Sequence, residues 1–386
     1  MRKLVVLTSR FPYPLEKGDK LRVYYQIKAL SQKYDITLIT LSEHPVRLAD
    51  IQHLQGFCRQ IHRFRLRSYQ IFFNLVRGFF SGLPLQVSYF YSPSINRKIQ
   101  QLVRDLNPDH IYCQLIRMAP YAQGLSAAKT IDYMDAFSVG MQRRALQSKG
   151  IAKYLFNVEA KRLQAYEAHI FQAFQHHTVI SHQDRALLQI PEKERIHVIP
   201  NGVDTDFFKP DTSITKTYHL AFVGNMGYHP NIEAAKFLVK SVLPLVQETF
   251  PNLKVLIAGA RPSPEVKRLE NDQVRVSGWV KDIREAYQVA QLFVGPIFLG
   301  SGQQNKILEA MAMGLPCITS PQVNNAIAAP VNTAILVAAS AETFAQQIIE
   351  LLQAPERQIE IGGAARAFVQ QHFSWQHSTE LLSRLF

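Results

Sequence analysis

The chain has 386 residues, 47% apolar and 19% charged, which is too long for one compact core and too apolar for disorder. At roughly 150 residues per domain it makes two domains, or three. No apolar run reaches the roughly 18 residues of a spanning helix. Cys58, Cys113 and Cys317 lie far apart without a CxxC pair, which speaks against a disulfide framework or a structural zinc site and for a reducing, cytosolic setting.

The opening MRKLVVLTSRFPYP holds an apolar run too short for a secretory leader, and it reads as a first buried strand. Strands follow at Lys3–Thr8, Asp35–Leu41, His110–Gln114, Thr130–Tyr133, His177–Ser181 and Arg195–Ile199, with helical patterns at Asp19–Gln32 and Lys153–Phe174. KLVVLTS is nearly all apolar, as a parallel strand covered on both faces must be. The segment PNGVDTDFFKPDTSITKTY, residues 200–218, breaks this rhythm and marks a domain boundary.

A second alternation follows. Strands are expected at His219–Gly224, Lys254–Gly259, Gln273–Ser277, Gln291–Pro296, Pro316–Thr319 and Ala334–Val337. Helices are expected at Ile232–Glu248, Pro264–Glu270, Asp282–Val289, Gln304–Met313, Ala341–Leu352 and Glu356–His372. Such alternation builds βαβ units, hence an α/β chain of two Rossmann-like domains, residues 1–200 and 201–365, with a helical tail at 366–386. Ligands of such sheets sit beyond the carboxyl ends of the strands, and two domains facing across a cleft can hold two substrates.

Charge is unevenly spread. The net balance is +13, from 43 basic and 30 acidic residues. Between Ile51 and Arg104 there is no Asp or Glu, but there are Arg59, Arg63, Arg65, Arg67, Arg77, Arg97, Lys98 and Arg104, interleaved with IFF, FF and YFY. That composition suits an anionic membrane surface through residues 59–104, and equally a basic solvated face over an aromatic core. No nucleic-acid-binding motif is present.

Three segments carry candidate chemistry. In SRFPYPLEKGDK after the first strand, Gly18 lets backbone amides approach a phosphate or sugar, or simply makes a turn, and Asp19 is a candidate N-cap. In FVGNMGYHPN, Gly224, Asn225 and Gly227 occupy a strand-to-helix turn where a phosphate would dock, although a tight turn would use the same glycines. GSGQQNKILEAMAMGLPCIT, residues 300–319, is the most specific. A helix starts there near Gln304 and ends at Gly314. Lys306 sits in its first turn, where a cation opposes the helix dipole, and Glu309 lies on the same face. A diphosphate at the helix start and a ribose beside Glu309 explain both better than an intrahelical pair in the less favourable order. Asp132 and Asp135 end the strand Thr130–Tyr133 and are candidates for sugar hydroxyls or for a base; Asp135 equally fits a helix cap. His110, His182 and His229 are weaker candidates. No GxGxxG, HExxH or GxSxG motif is present.

These residues resemble the retaining GT-B glycosyltransferases of the family-4 type over nearly the whole chain. The resemblance rests on the Gly18 loop, PNGVDTDFFKP at 200–210, FVGNMGYHPNIEAA at 222–235, GWVKDIREAY at 278–287 and GQQNKILEAMAMGLPCITS at 302–320. FSWQHS at 373–378 resembles the terminal helix that crosses back to the N-terminal domain. PYPLEKGDKLR and NKILEAMAMG are similar to a bacterial subgroup associated with exopolysaccharide production.

The resemblance implies a nucleoside diphosphate sugar donor in the C-terminal domain, a glycan or lipid-linked acceptor, and no metal or other cofactor. The cysteine usage and the basic-aromatic stretch suggest cytoplasmic placement, peripheral to the inner face of a membrane, and no nucleic-acid partner is expected. Of the site residues, the resemblance carries Gly18, Trp279, Val280, Gln304, Asn305, Lys306 and Glu309; with the readings above, catalysis is expected at Gly18, Asp135 and Lys306, and donor binding at Gly224, Asn225, Trp279, Val280, Gly302, Gln303, Gln304, Asn305, Lys306 and Glu309. The first glutamate of the family's E-x7-E motif is Ser301 here, the N-terminal-domain histidine is Gln114, and the Arg and Lys that follow the FVG strand are absent. An epimerase or hydrolase of nucleotide sugars, or a basic surface-binding protein, are the alternatives. Donor turnover without acceptor, or polyanion binding without diphosphate affinity, distinguishes them.

Overall fold

The computed structural model describes residues 1–15, 17–299 and 303–386. Two compact units emerge from the contacts: Met1–Pro200 with Ser378–Phe386, and Asn201–His377. The tail therefore joins the first unit from 378, whereas the sequence placed its start at 366; the helix Pro355–His372 packs against Asn305–Ala312 in the second unit.

In the first unit the strands are β1 Arg2–Thr8, β2 Tyr34–Ser42, β3 Gln60–Arg65, β4 His110–Gln114, β5 Ala128–Met134, β6 His176–Val179 and β7 Ile196–Val198. They form one sheet in the order β3-β2-β1-β4-β5-β6-β7, and every pairing is parallel. Alternation along β1 sends Val5 and Leu7 into one core and Leu4 and Val6 into the other, which is why that strand is apolar at every inner position. β3 is the strand the sequence does not announce. Its QIHRFR is exposed or half-buried throughout, because it forms the sheet edge, so no apolar run marks it.

In the second unit the strands are β8 Tyr218–Val223, β9 Val255–Ala258, β10 Val274–Gly278, β11 Ala290–Gly295, β12 Cys317–Thr319 and β13 Leu336–Val337, in the order β10-β9-β8-β11-β12-β13. All pair in parallel around one core. Both sheets thus share a doubly wound order whose direction reverses at one point, between β1 and β4 in the first unit and between β8 and β11 in the second. The crevice outside the carboxyl ends of those strand pairs is where such sheets take ligands. Among the described residues, no helix is long and apolar enough to cross a membrane.

Candidate functional site

In the second unit the reversal point is built from two segments. β8 runs on into Gly224 and Asn225, just past its end at Val223, and the helix Asn305–Ala312 follows β11. Glycine is required at 224 by what stands beside it. A Cβ there would lie 2.8 Å from Asn231 Nδ2 and 3.3 Å from Lys306 Cε. The next strand presses as closely: Gly259, at φ +137°, has its backbone against the Gly224 carbonyl. Asn225 shapes the turn, accepting from the Gly227 amide at 3.0 Å, while its carbonyl accepts from Asn231 Nδ2 at 2.9 Å.

Lys306 is the second residue of its helix, a position where the dipole disfavours a cation. It is held there by Asn231 Oδ1 at 2.8 Å and Gln304 Oε1 at 3.1 Å. Burial draws its ammonium down from 10.5 to about 8, with Glu309 pulling the other way. No neutralising carboxylate is bonded to it among the described residues. Three positions on, Glu309 Oε2 accepts from the Tyr287 hydroxyl at 2.8 Å. Burial pushes the Glu309 carboxyl upward, against that bond and Lys306. Asn305 opens the helix with a buried Oδ1 that meets no donor among the described residues. The site is thus a caged cation, an open acceptor and a caged carboxylate on one helix, beside glycine backbone.

Other expectations fare differently. Gln303 faces the chain itself: its amide donates to the Asn201 carbonyl at 2.8 Å and accepts from the Asn201 amide at 3.0 Å, so it pins the PNGVD segment. Trp279 and Val280 follow β10, two strands from β8 in the sheet order, and the indole is 70% exposed. Gly302, like Gly300 and Ser301, lies outside the described residues. Asn231 and Tyr287 were not singled out by sequence reasoning. Asn231 stands in the quoted FVGNMGYHPN turn, while nothing in the spacing of REAY announces that Tyr287 reaches Glu309.

In the first unit, Gly18 is the first residue of the helix Gly18–Leu30, with open space where a Cβ would stand. The N-cap is Lys17, and Asp19 pairs with Arg10 at 2.6 Å instead of capping. Gln114, at the histidine position, donates to the Asp19 carbonyl at 2.6 Å and so ties β4 to that helix. The two carboxylates of β5 part company. Asp132 is fully buried, paired with Arg22 at 2.6 Å and bonded by Tyr112 and Thr178, so it is structural and unavailable to substrate. Asp135 is exposed and does not cap the helix Phe137–Gln147, whose N-cap is Ala136. Surrounding protein and the charges of Asp184 and Asp132 push its carboxyl up to about 6, offset in part by Arg22 and Arg117. His110 is buried, its ring stacked on Phe386 and its pKa lowered to about 4, a core residue.

Residues 20–207 match the family described as Glycosyltransferase Family 4, and residues 217–354 match Glycosyl transferases group 1. An uncharacterized 44.6 kDa protein in the cps region of Klebsiella pneumoniae is 21% identical over 100% of this chain and 99% of its own length. The GDP-mannose-dependent monoacylated alpha-(1-6)-phosphatidylinositol monomannoside mannosyltransferase of Corynebacterium glutamicum is 23% identical over 76% of this chain and 80% of its own. Anabaena HepE, solved in complex with UDP, superposes with a TM-score of 0.69 at 12% identity, covering 99% of this chain and 98% of that one. With both units matched by transferase families and the paired parallel sheets shared with such enzymes, the chain is a GT-B glycosyltransferase.

Proposed function

We propose that the chain moves a sugar from a nucleoside diphosphate sugar to a glycan or lipid-linked acceptor, with retention at the anomeric carbon and without a resident metal or other cofactor. The observation that carries this reading is Lys306, a cation kept at a helix start against the dipole by Asn231 and Gln304, beside a glycine that admits no side chain. A diphosphate placed there meets the ammonium, the amides of the first helical turn and the bare backbone of Gly224 together. Glu309, steadied by Tyr287, accepts from ribose hydroxyls, and the unpartnered Asn305 Oδ1 accepts from a sugar hydroxyl. Trp279 offers its exposed indole to the base.

Breaking the anomeric C–O bond leaves its electron pair on the diphosphate, where donors already in place lower the barrier. The acceptor oxygen bonds to the anomeric carbon on the face the diphosphate leaves, and its proton passes to a phosphate oxygen of the donor. No protein nucleophile is needed. Asp135, largely ionised at neutral pH, orients the acceptor hydroxyl, and the Gly18 loop lies on the first unit's corresponding strand-end edge.

Two similar proteins, one dependent on GDP-mannose and one solved in complex with UDP, support a nucleoside diphosphate donor; the cps region in which a third similar protein lies supports a polysaccharide product. Calorimetric titration with UDP and GDP tests the reading. Lys306→Ala weakens the favoured nucleotide by about 1.5–3 kcal/mol, roughly 10- to 150-fold, the size of a charge-assisted bond. Glu309→Gln reduces binding of the nucleotide but not of pyrophosphate. A folded protein that binds neither nucleotide, or a Lys306→Ala variant that binds as wild type, overturns it.

A further inference from the structure

Within the basic, acid-free stretch Phe90 lies in the core with Tyr89 and Tyr91 packed against it, but one helix turns its aromatics outward. On the helix Ser68–Ser81 the side chains of Tyr69, Phe72, Phe73, Val76, Phe79 and Phe80 stand in the open, Phe80 at 82% exposure and Phe73 at 65%. Their spacing of three and four residues puts them on one stripe, facing away from the protein. The other side of this helix rests on Leu85–Phe90, with Gly78 packed against Ser88.

A second open apolar cluster comes from a distant part of the chain. Leu146, near the end of the helix Phe137–Gln147, and Ile151, Tyr154 and Leu155, at the start of Gly150–Phe171, are all exposed. Arg162 joins the two elements. Its guanidinium donates to the carbonyls of Gly78 at 3.4 Å and Phe79 at 3.0 Å, and lies over the Phe79 ring. At a rise of about 1.5 Å per residue, Tyr154 and Phe72 each lie roughly 10–12 Å along their helices from that bridge.

Along the chain, both clusters are flanked by basic residues and by no acid. Arg63 and Arg65 on the edge strand β3, with Arg67 and Arg77, flank the first and are exposed, with no ion pair among the described residues. Arg144, Lys149 and Lys153 flank the second and are exposed, and from Phe137 to Val158 there is again no Asp or Glu. Exposed large apolar side chains gathered in this way mark an interaction site.

We propose that these two clusters form one docking face for an anionic phospholipid bilayer, with the phenyl groups entering the headgroup boundary and the arginines and lysines meeting lipid phosphates. Charge complementarity selects this occupant. A second copy of the chain docking through the same face would set cations against cations with no carboxylate in either stretch, whereas an anionic bilayer offers apolar depth and negative charge at once. The helix Gly150–Phe171 is part of this face, so the surface extends well beyond residues 59–104. It stands independently of the donor pocket, which lies in the other unit.

Co-sedimentation of the full chain with vesicles of phosphatidylcholine, alone or mixed with phosphatidylglycerol, tests it. Binding is expected only to the anionic vesicles and weakens as salt rises. The pairs Phe72→Ser/Phe80→Ser and Ile151→Ser/Tyr154→Ser each reduce partitioning by about tenfold or more at an unchanged unfolding midpoint, because the lost groups are solvent-exposed in the free protein. Equal binding to neutral vesicles, or equal binding by wild type and both variants, overturns the proposal. So does a lipid-independent dimer that both variants dissolve while vesicles stay unbound, which would assign the face to a second copy. Nucleotide affinity is read separately and does not enter this outcome.

Discussion

Lys306 holds an unfavourable place for a reason that can be titrated. Burial lowers its pKa from 10.5 to about 8, so between those values the unfolded chain carries a proton that the folded one has released. Folding stability therefore gains from this group as pH rises from about 8 toward 10.5, since the unfolded state binds more protons there. Ligand binding runs the other way. A diphosphate beside the ammonium favours the charged form and raises its pKa. Nucleotide affinity is then full below about pH 8 and falls as pH rises through it, whereas Lys306→Arg, always protonated, keeps a flat profile. Titration of UDP or GDP at stepped pH values checks this; parallel profiles for the two proteins would sink it. The same contrast of environment separates the two carboxylates of β5. Asp132 is saturated by Arg22, Tyr112 and Thr178, while Asp135, three residues on, reaches solvent with a raised pKa. Their shared position at one strand end gave no means to tell them apart.

At the scale of elements, the ends of β8 and β9 meet through glycine backbone. Gly259 at φ +137° has no room for a Cβ, which would overlap the Gly224 carbonyl oxygen, and an L side chain rarely adopts that conformation. Gly259→Ala therefore strains the backbone and pushes the Gly224 turn toward Lys306. A loss of about 2–5 kcal/mol is expected, combining backbone strain with overpacking. Urea unfolding gives the stability and nucleotide titration the accompanying loss of affinity; a variant as stable as wild type would show that the two strand ends do not abut. Strands buried on both faces were legible because they read as unbroken apolar runs, and all six of the second sheet stand where the sequence suggests. β3 was not, since an edge strand of Gln, His and Arg has no such run. The helix Ser68–Ser81 was legible only as composition: its basic and aromatic residues fit a membrane-facing surface and the cover of a core equally, and the structure shows its aromatics turned outward. In the site, the Lys306–Glu309 spacing was readable along one helix. The lock of Gln303 on Asn201 and the bond from Tyr287 join residues 102 and 22 positions apart, which no local pattern encodes.

For the whole molecule, the last residues complete the first unit and not the second. Leu382 is fully buried in the core that holds Leu4, Val6 and Ile36. Phe386 stacks on His110 with ring centroids 4.7 Å apart, meets Tyr34 edge-on at 5.7 Å, and offers its carbonyl to Arg2 at 2.8 Å. The Tyr34 hydroxyl donates to the Ser383 carbonyl at 3.2 Å. Removing residues 381–386 takes the buried Leu382 and the half-buried Leu381, Leu385 and Phe386 from this core at once. Comparable large-to-small core losses cost about 2–5 kcal/mol each. A unit of some 200 residues loses roughly 2–4 °C of midpoint per kcal/mol, so its transition should fall by on the order of 10 °C or more. The second unit keeps its own core and its ligand. Scanning calorimetry with and without nucleotide separates the two, because a ligand of the folded state raises only the transition of the unit that binds it. The truncated chain should show a lowered, nucleotide-insensitive transition beside an unmoved, nucleotide-raised one. A single transition that shifts as a whole would mean the two units unfold together, and an unshifted pair would mean the terminal contacts contribute nothing.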